Sequence, residues 1–166
     1  SQQEVLDEWA KNNKDSQDYG TKVHAVLETY AKTGIVDPEH ETLIKEFQKM
    51  GDYTKKTGAL QEQILHSHQF KVAGTADIIV PVGKFFDVFD IKTNKAFNFF
   101  SKYGETLKSP VEHLVHCEYC NYSLQLSLYA YLYQNLTGRI VRHLAVFYWD
   151  KEKNTFTKYQ IGRAHV

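Results

Sequence analysis

The chain has 166 residues, enough for one domain with a real core. Lys plus Arg and Asp plus Glu number 20 each, so the formal net charge is zero; a globally basic nucleic-acid binder is excluded, while local basic patches are not. No apolar run approaches the roughly 20 residues that a membrane helix needs, and no secretory leader is evident; two cysteines without secretory context point to a reducing, cytoplasmic setting.

Residues 4–13 place Val5, Leu6 and Trp9 at helical spacing, which predicts a short helix packed on its neighbour. Asp15-Ser16-Gln17-Asp18 can cap a second helix, about 18–33, with Val23, Val26, Leu27 and Tyr30 on its apolar side. Gly20, His24 and Glu28 follow at four-residue intervals and share one face of it. A third helix begins at Asp37-Pro38, with Pro in the first turn, carries Leu43, Ile44, Phe47 and Met50, and stops near Gly51. Beyond Gly58 the period changes, and 59–70 reads as a strand with Glu62, Ile64 and His66 on one face.

Residues 74–94 form two strands rich in β-branched and aromatic side chains, joined at Gly83-Lys84. Glycine at the first turn position suits a type II′ hairpin. With a two-residue loop, Val82 faces Phe85, and counting outward sets Asp77 opposite Asp90, with Lys92 on the Asp90 face. Like charges opposed across strands destabilise the pair, by roughly 4 kcal/mol at about 4 Å and an effective dielectric near 20. A divalent cation would reverse that sign, because it requires oxygen ligands arranged this way. A shifted register, or one Asp turned to solvent, would remove the conflict instead, and Pro81 could disturb the ladder near the turn.

Residues 95–120 lack periodicity, and Lys95, Lys102 and Lys108 alternate there with Phe97, Phe99, Phe100 and Tyr103. Such a stretch can track a nucleic-acid strand by phosphate contact and base stacking, or can simply pack its rings on the sheet. Asn121 to Leu136 is the strongest helix, lined by Leu124, Leu128, Ala130, Tyr131 and Leu132 and stopped by Gly138, with Gln125 and Tyr129 four apart. Strands follow at 140–149 and 156–161, giving the order α-α-α-β-β-β-α-β-β. Residues 161–166 back-translate to a common sequencing-adapter read and are set aside as a non-native tail; the domain is bounded at 1–160, with both ends read as cut.

Gly20-x-x-x-His24, Gly74-x-x-Asp77, Asp90-Ile91-Lys92 and Gln125-x-x-x-Tyr129, in this order, resemble the RecB-type branch of the P-D-(D/E)-x-K nuclease superfamily over roughly residues 9–150. The resemblance implies an α/β domain with a restriction-endonuclease-like mixed central sheet flanked by helices. It implies Asp77, Asp90 and Lys92 as catalytic residues, and Mg²⁺ or Mn²⁺ held by His24, Asp77, Asp90 and the Ile91 carbonyl. Gln125 and Tyr129 would position active-site groups or the nucleic-acid strand, with Lys95 beside them on the basic stretch. The implied activity is hydrolysis of DNA, exonucleolytic by virtue of the His24 motif, in repair, recombination or phage replication. The setting would be a bacterial cell or phage-infected host, with a helicase or recombinase as partner.

Two other readings stand beside it. A nuclease-like fold can bind DNA ends without cutting. His113, His116, Cys117 and Cys120 place four potential zinc ligands within eight residues, as a zinc-stabilised interaction module would. Glu28 and Glu62 could border the cation site or be solvated or salt-bridged surface residues.

Overall fold

The computed structural model describes residues 2–161. Its elements are α1 (Gln2–Thr33), α2 (Glu41–Met50), β1 (Leu60–Ser67), β2 (Val72–Val82), β3 (Phe85–Lys92), α3 (Glu118–Thr137), β4 (Ile140–Asp150) and β5 (Thr155–Ile161). The five strands form one sheet in sequence order, antiparallel except for the parallel β3–β4 pair. A parallel pair needs a long crossover, and the irregular 93–117 segment with α3 supplies it.

The sheet separates two cores. Ile78, Phe89 and Phe147 pack with Val23 and Leu27 of α1 and Leu43 and Phe47 of α2. Their sequence neighbours Ile79, Val88 and Val146 pack with Leu126, Tyr129 and Tyr133 of α3. This alternation is the period-two pleat, and burial on both sides explains why β3 and β4 read as nearly continuous apolar runs. Tyr19 anchors α1 by accepting the Trp149 indole N–H at 2.8 Å.

Four expectations are corrected in whole or in part. The predicted helices 4–13 and 18–33 are one helix, because nothing between them breaks it: Ser16 and Thr21 donate back to the carbonyls of Asn12 and Gln17 within the same helix, so they do not cap a new one. Its first half is not packed on a neighbour; residues 2–18 are all exposed, including Trp9 at 63%. On α3 Ala130 and Leu132 are buried as expected, but the rest of the buried face is Leu126, Tyr129 and Tyr133, while Leu124 and Leu128 face outward. Ile161, set aside with the tail, is a buried residue of β5 paired with Leu144; residues 162–166 lie outside the described residues. No described helix is long and apolar enough to cross a membrane.

The buried Asp87 is satisfied by Arg142 of β4, whose guanidinium donates to both carboxylate oxygens at 2.9 and 2.6 Å. Arg142→Ala would leave that carboxylate buried and unpaired. The expected loss is about 2–3 kcal/mol in urea unfolding, below the 3–5 of a fully buried pair because the arginine is itself 38% exposed.

Candidate active site

The site lies where β2 and β3 part. β2 pairs with β1 from Val72 to Ile79 but with β3 only from Ile78 to Val82. β3 meanwhile stays beside β4 as far as Lys92–Tyr148. The hairpin has the predicted register, Val82 facing Phe85, and Gly83 alone of the turn pair has positive φ (58°), as type II′ requires. Asp77 and Asp90 therefore occupy the first position past the end of the β2–β3 ladder. There the Asp77 side chain substitutes for the strand: its Oδ2 accepts the Ile91 amide N–H at 2.6 Å.

Both aspartates are buried, at 8% and 2% exposure. Burial, and next the Asp90 charge, push the Asp77 pKa well above the usual aspartate value; the Ile91 amide and Lys92 only partly oppose this. Lys92 Nζ stands 2.7 Å from Asp90 Oδ2 and 4.7 Å from the centre of the Tyr122 ring on α3. Burial would lower the Lys92 pKa, but the Asp90 carboxylate, with help from Asp77, outweighs it and holds the ammonium charged.

His24 arrives from α1. Its Nε2 is 3.0 Å from the Ile91 carbonyl, so Nε2 carries the proton in the neutral ring and Nδ1 keeps its lone pair toward Asp77 Oδ1, 3.6 Å away. Burial lowers the His24 pKa, with Asp90 opposing and Lys92 reinforcing, which favours the neutral, ligating form. Gly20, one turn earlier, gives the G-x-x-x-H spacing a physical reason: a Cβ there would sit 2.9 Å from Thr93 Oγ1, so a larger residue would require that side chain to shift where α1 passes the end of β3.

The second glycine motif has an equally direct cause. A Cβ on Gly74 would lie 2.6 Å from the Tyr129 ring, which occupies that space. Tyr129 is buried and accepts a hydrogen bond from the Gln125 amide at 2.9 Å, so the pair braces β2 from the α3 side, with only Gln125 partly open. Lys95 is exposed and does not join the carboxylates; it lines a cleft of about 720 Å³ with Tyr19, Thr93, Asn94, Tyr148 and Lys151, directly beyond Lys92.

Two residues belong with this group that the motifs did not single out as site residues. Tyr122 holds Lys92 and donates to Asn94 Oδ1 at 3.1 Å; its place three residues before Gln125 and seven before Tyr129, on one helical face, was the available signal. Glu62 faces Asp77 from β1, and ligand atoms of His24, Glu62 and Asp77 all lie within 4.8 Å of one another. Burial, then Glu28, raise the Glu62 pKa, with Lys32 opposing. His113, His116, Cys117 and Cys120 form no such group among the described residues: Cys117 is buried at the start of α3, and His116 faces Glu105 at 3.7 Å.

The donors suit a hard divalent cation. They comprise two buried carboxylates whose mutual repulsion it would offset, a carbonyl with a second lone pair, and a neutral imidazole.

A mixed sheet that forks around carboxylates and lysine, with helices on both faces, defines a nuclease-like α/β fold. It is similar to a crystal structure named "Putative exonuclease" from Eubacterium rectale, with TM-score 0.52 and 11% identity over 87% of this chain and 59% of that one. The structure of SSO0001 is aligned over 92% of this chain and 61% of that one, at TM-score 0.37 and 18% identity. The chain thus spans about three-fifths of each of these proteins. At such identity the first likeness shows the fold alone, and the second adds no argument. No family model and no curated protein matches the sequence.

Two outcomes are expected. An acid with a raised folded-state pKa gives its full stability below the unfolded value and loses it as pH rises through the folded one. In EDTA-treated protein, Asp77→Asn should therefore raise the melting temperature at pH 8 by several degrees, at about 2–4 °C per kcal/mol. The gain should vanish below about pH 4, and added Mn²⁺ should favour the wild type instead; differential scanning fluorimetry reads both. Gly74→Ala should destabilise by about 1–3 kcal/mol through displacement of Tyr129, measured by chemical unfolding.

Proposed function

We propose that this chain is a metal-dependent deoxyribonuclease of the RecB-type branch of the P-D-(D/E)-x-K superfamily, acting as an exonuclease. The observation that carries the proposal is the convergence, at the β2–β3 fork, of Asp77, Asp90, Lys92 and His24 from separate stretches of chain. A purely structural fork would not keep two opposed buried carboxylates. A non-cutting module would have no use for a charged lysine held beside them.

Asp77, Asp90, His24 and the Ile91 carbonyl would hold Mg²⁺ or Mn²⁺, which supplies Lewis-acid activation of water and offsets the charge that develops on the phosphate. Asp77 is fixed for this by the Ile91 amide, and His24 by the Ile91 carbonyl, so one residue of β3 orients two ligands. Lys92, paired with Asp90 and steadied by Tyr122, would contact a phosphate oxygen and hold the attacking water in line. Gln125 and Tyr129 keep β2 in place behind Asp77.

The strand would run along the segment after Lys92. Lys95 lines the adjoining cleft, and Phe100 and Tyr103 are 78% and 77% exposed, while Phe97 is anchored among Tyr119, Tyr122, Tyr148 and Tyr159. Exposed rings with neighbouring lysines fit stacking of bases and contact with phosphates. A helicase or recombinase that delivers DNA ends is the partner this activity would serve.

With end-labelled single- and double-stranded DNA and Mg²⁺ or Mn²⁺, the wild type should release nucleotides from ends. Asp90→Ala and Lys92→Ala should each reduce the rate by at least about 10²–10³-fold with circular dichroism unchanged. Equal degradation by wild type and variants would refute the assignment.

A further inference from the structure

The helices present different outer faces. Those of α1 and α2 carry charge, ion-paired along the helix between Lys32 and Glu28 and between Lys45 and Glu41. From Tyr119 to Thr137, α3 has no charged side chain at all. A helix with one side in water ordinarily carries charge there, and an apolar helix is ordinarily covered all round. Yet Leu124, Leu128 and Leu136 are exposed on α3. Phe70, also exposed, lies against Tyr131 with ring centres 6.1 Å apart and extends the apolar surface onto the β1–β2 turn. Single exposed leucines are ordinary, whereas an uncharged apolar patch running along a helix marks a contact surface.

The outer face of α3 is also self-complementary. Asn121, Leu124, Leu128, Tyr131 and Asn135 follow at alternating spacings of three and four, the seam by which two helices pack. Leu128 is the middle of the stripe, and an exposed asparagine closes each end. A two-fold interface brings the same patch of two copies together, so that residue i meets j and j meets i. Laid antiparallel about Leu128, Asn121 of each copy falls beside the partner's Asn135, and the apolar centres coincide. The charges just outside the run complement each other in the same arrangement. Glu118 opens α3, and Arg139 follows its Gly138 cap. Antiparallel packing brings each Glu118 toward the partner's Arg139 and sets the two helix dipoles in opposition. Parallel packing would set Glu118 against the partner's Glu118 and Arg139 against the partner's Arg139.

We propose that the outer face of α3 is a homodimer interface, in which two copies of this chain pack α3 antiparallel through Leu124, Leu128 and Tyr131. The 20 residues of α3 span about 30 Å. One such helix from each copy, with the Phe70 turn beside it, makes an interface at the small end of specific ones, so the dimer is reversible. Tyr122, which holds Lys92, and the buried Tyr129 and Tyr133 lie off this stripe, so pairing leaves the β2–β3 fork of each copy open. The inference does not depend on the nuclease reading.

The test is sedimentation equilibrium of the full chain across the micromolar range, up to about 1 mM. Wild type should associate to a dimer and no further. Leu128→Asp should weaken association by at least about 10-fold, because the paired state would bury a charge without a partner. Leu128 is exposed in the single copy, so circular dichroism of this variant should match wild type. Two double variants read the geometry. Asn121→Lys with Asn135→Glu places opposite charges together only in the antiparallel dimer, and should tighten it by about 2–10-fold, an effect that added salt removes. Asn121→Lys with Asn135→Lys should loosen it. A monomer at every concentration, or a dimer indifferent to Leu128→Asp, would overturn the proposal. Weakening by both double variants alike would overturn the antiparallel pairing and the proposal with it.

Discussion

Two buried aspartates facing each other across the end of a hairpin ladder set the terms for this structure. Continued β2–β3 pairing would force their charges together between apolar layers. The strands part instead, and the Asp77 carboxylate takes the amide of Ile91. Parting opens the notch into which His24 and Lys92 reach. Burial, and next the Asp90 charge, still hold the Asp77 pKa well above the usual aspartate value. That residual imbalance is what a divalent cation would neutralise, and it ties the electrostatics of the fork to the chemistry proposed for it.

Everything around the fork holds it open at a fixed spacing. On one side α1 packs through Val23 and Leu27 and crosses the end of β3 at Gly20, which fixes where His24 arrives. On the other, α3 fills the space above Gly74 with the Tyr129 ring and places Tyr122 against Lys92. The two glycines act alike: each omits a side chain so that a neighbouring element can approach. The parallel β3–β4 pair carries Lys92 past the point where β2 departs, because β4 continues to satisfy the β3 backbone. Sheet pairing on one edge of β3 and its absence on the other are therefore both needed to present the lysine.

Much of this was legible in the sequence for identifiable reasons. The Gly83-Lys84 turn determines hairpin register by counting, so the opposition of Asp77 and Asp90 followed from local rules, as did the strand and helix types. The long α1 was misread as two helices because Asp15 to Asp18 resemble a cap, and cap residues remain helical when nothing else ends the helix. The buried face of α3 was read correctly at Ala130 and Leu132 but missed elsewhere, because its hydroxyl-bearing rings, Tyr129 and Tyr133, are buried while Leu124 and Leu128 are not. Hydrophobicity alone ranks those residues in the opposite order.

What the sequence by itself determined was the element types, the hairpin register and the residue types able to bind a cation, since these depend on steric and periodic rules acting over a few residues. Only the tertiary structure decided that Glu62 belongs beside His24 and Asp77. Alternation places Glu62 on a face of β1, and only the packing of β1, β2 and α1 around the fork brings that face against His24 and Asp77. Likewise, that Lys92 lies against Tyr122, that Tyr129 is buried and that the His-Cys residues form no ligand group among the described residues depend on contacts between segments far apart in the chain.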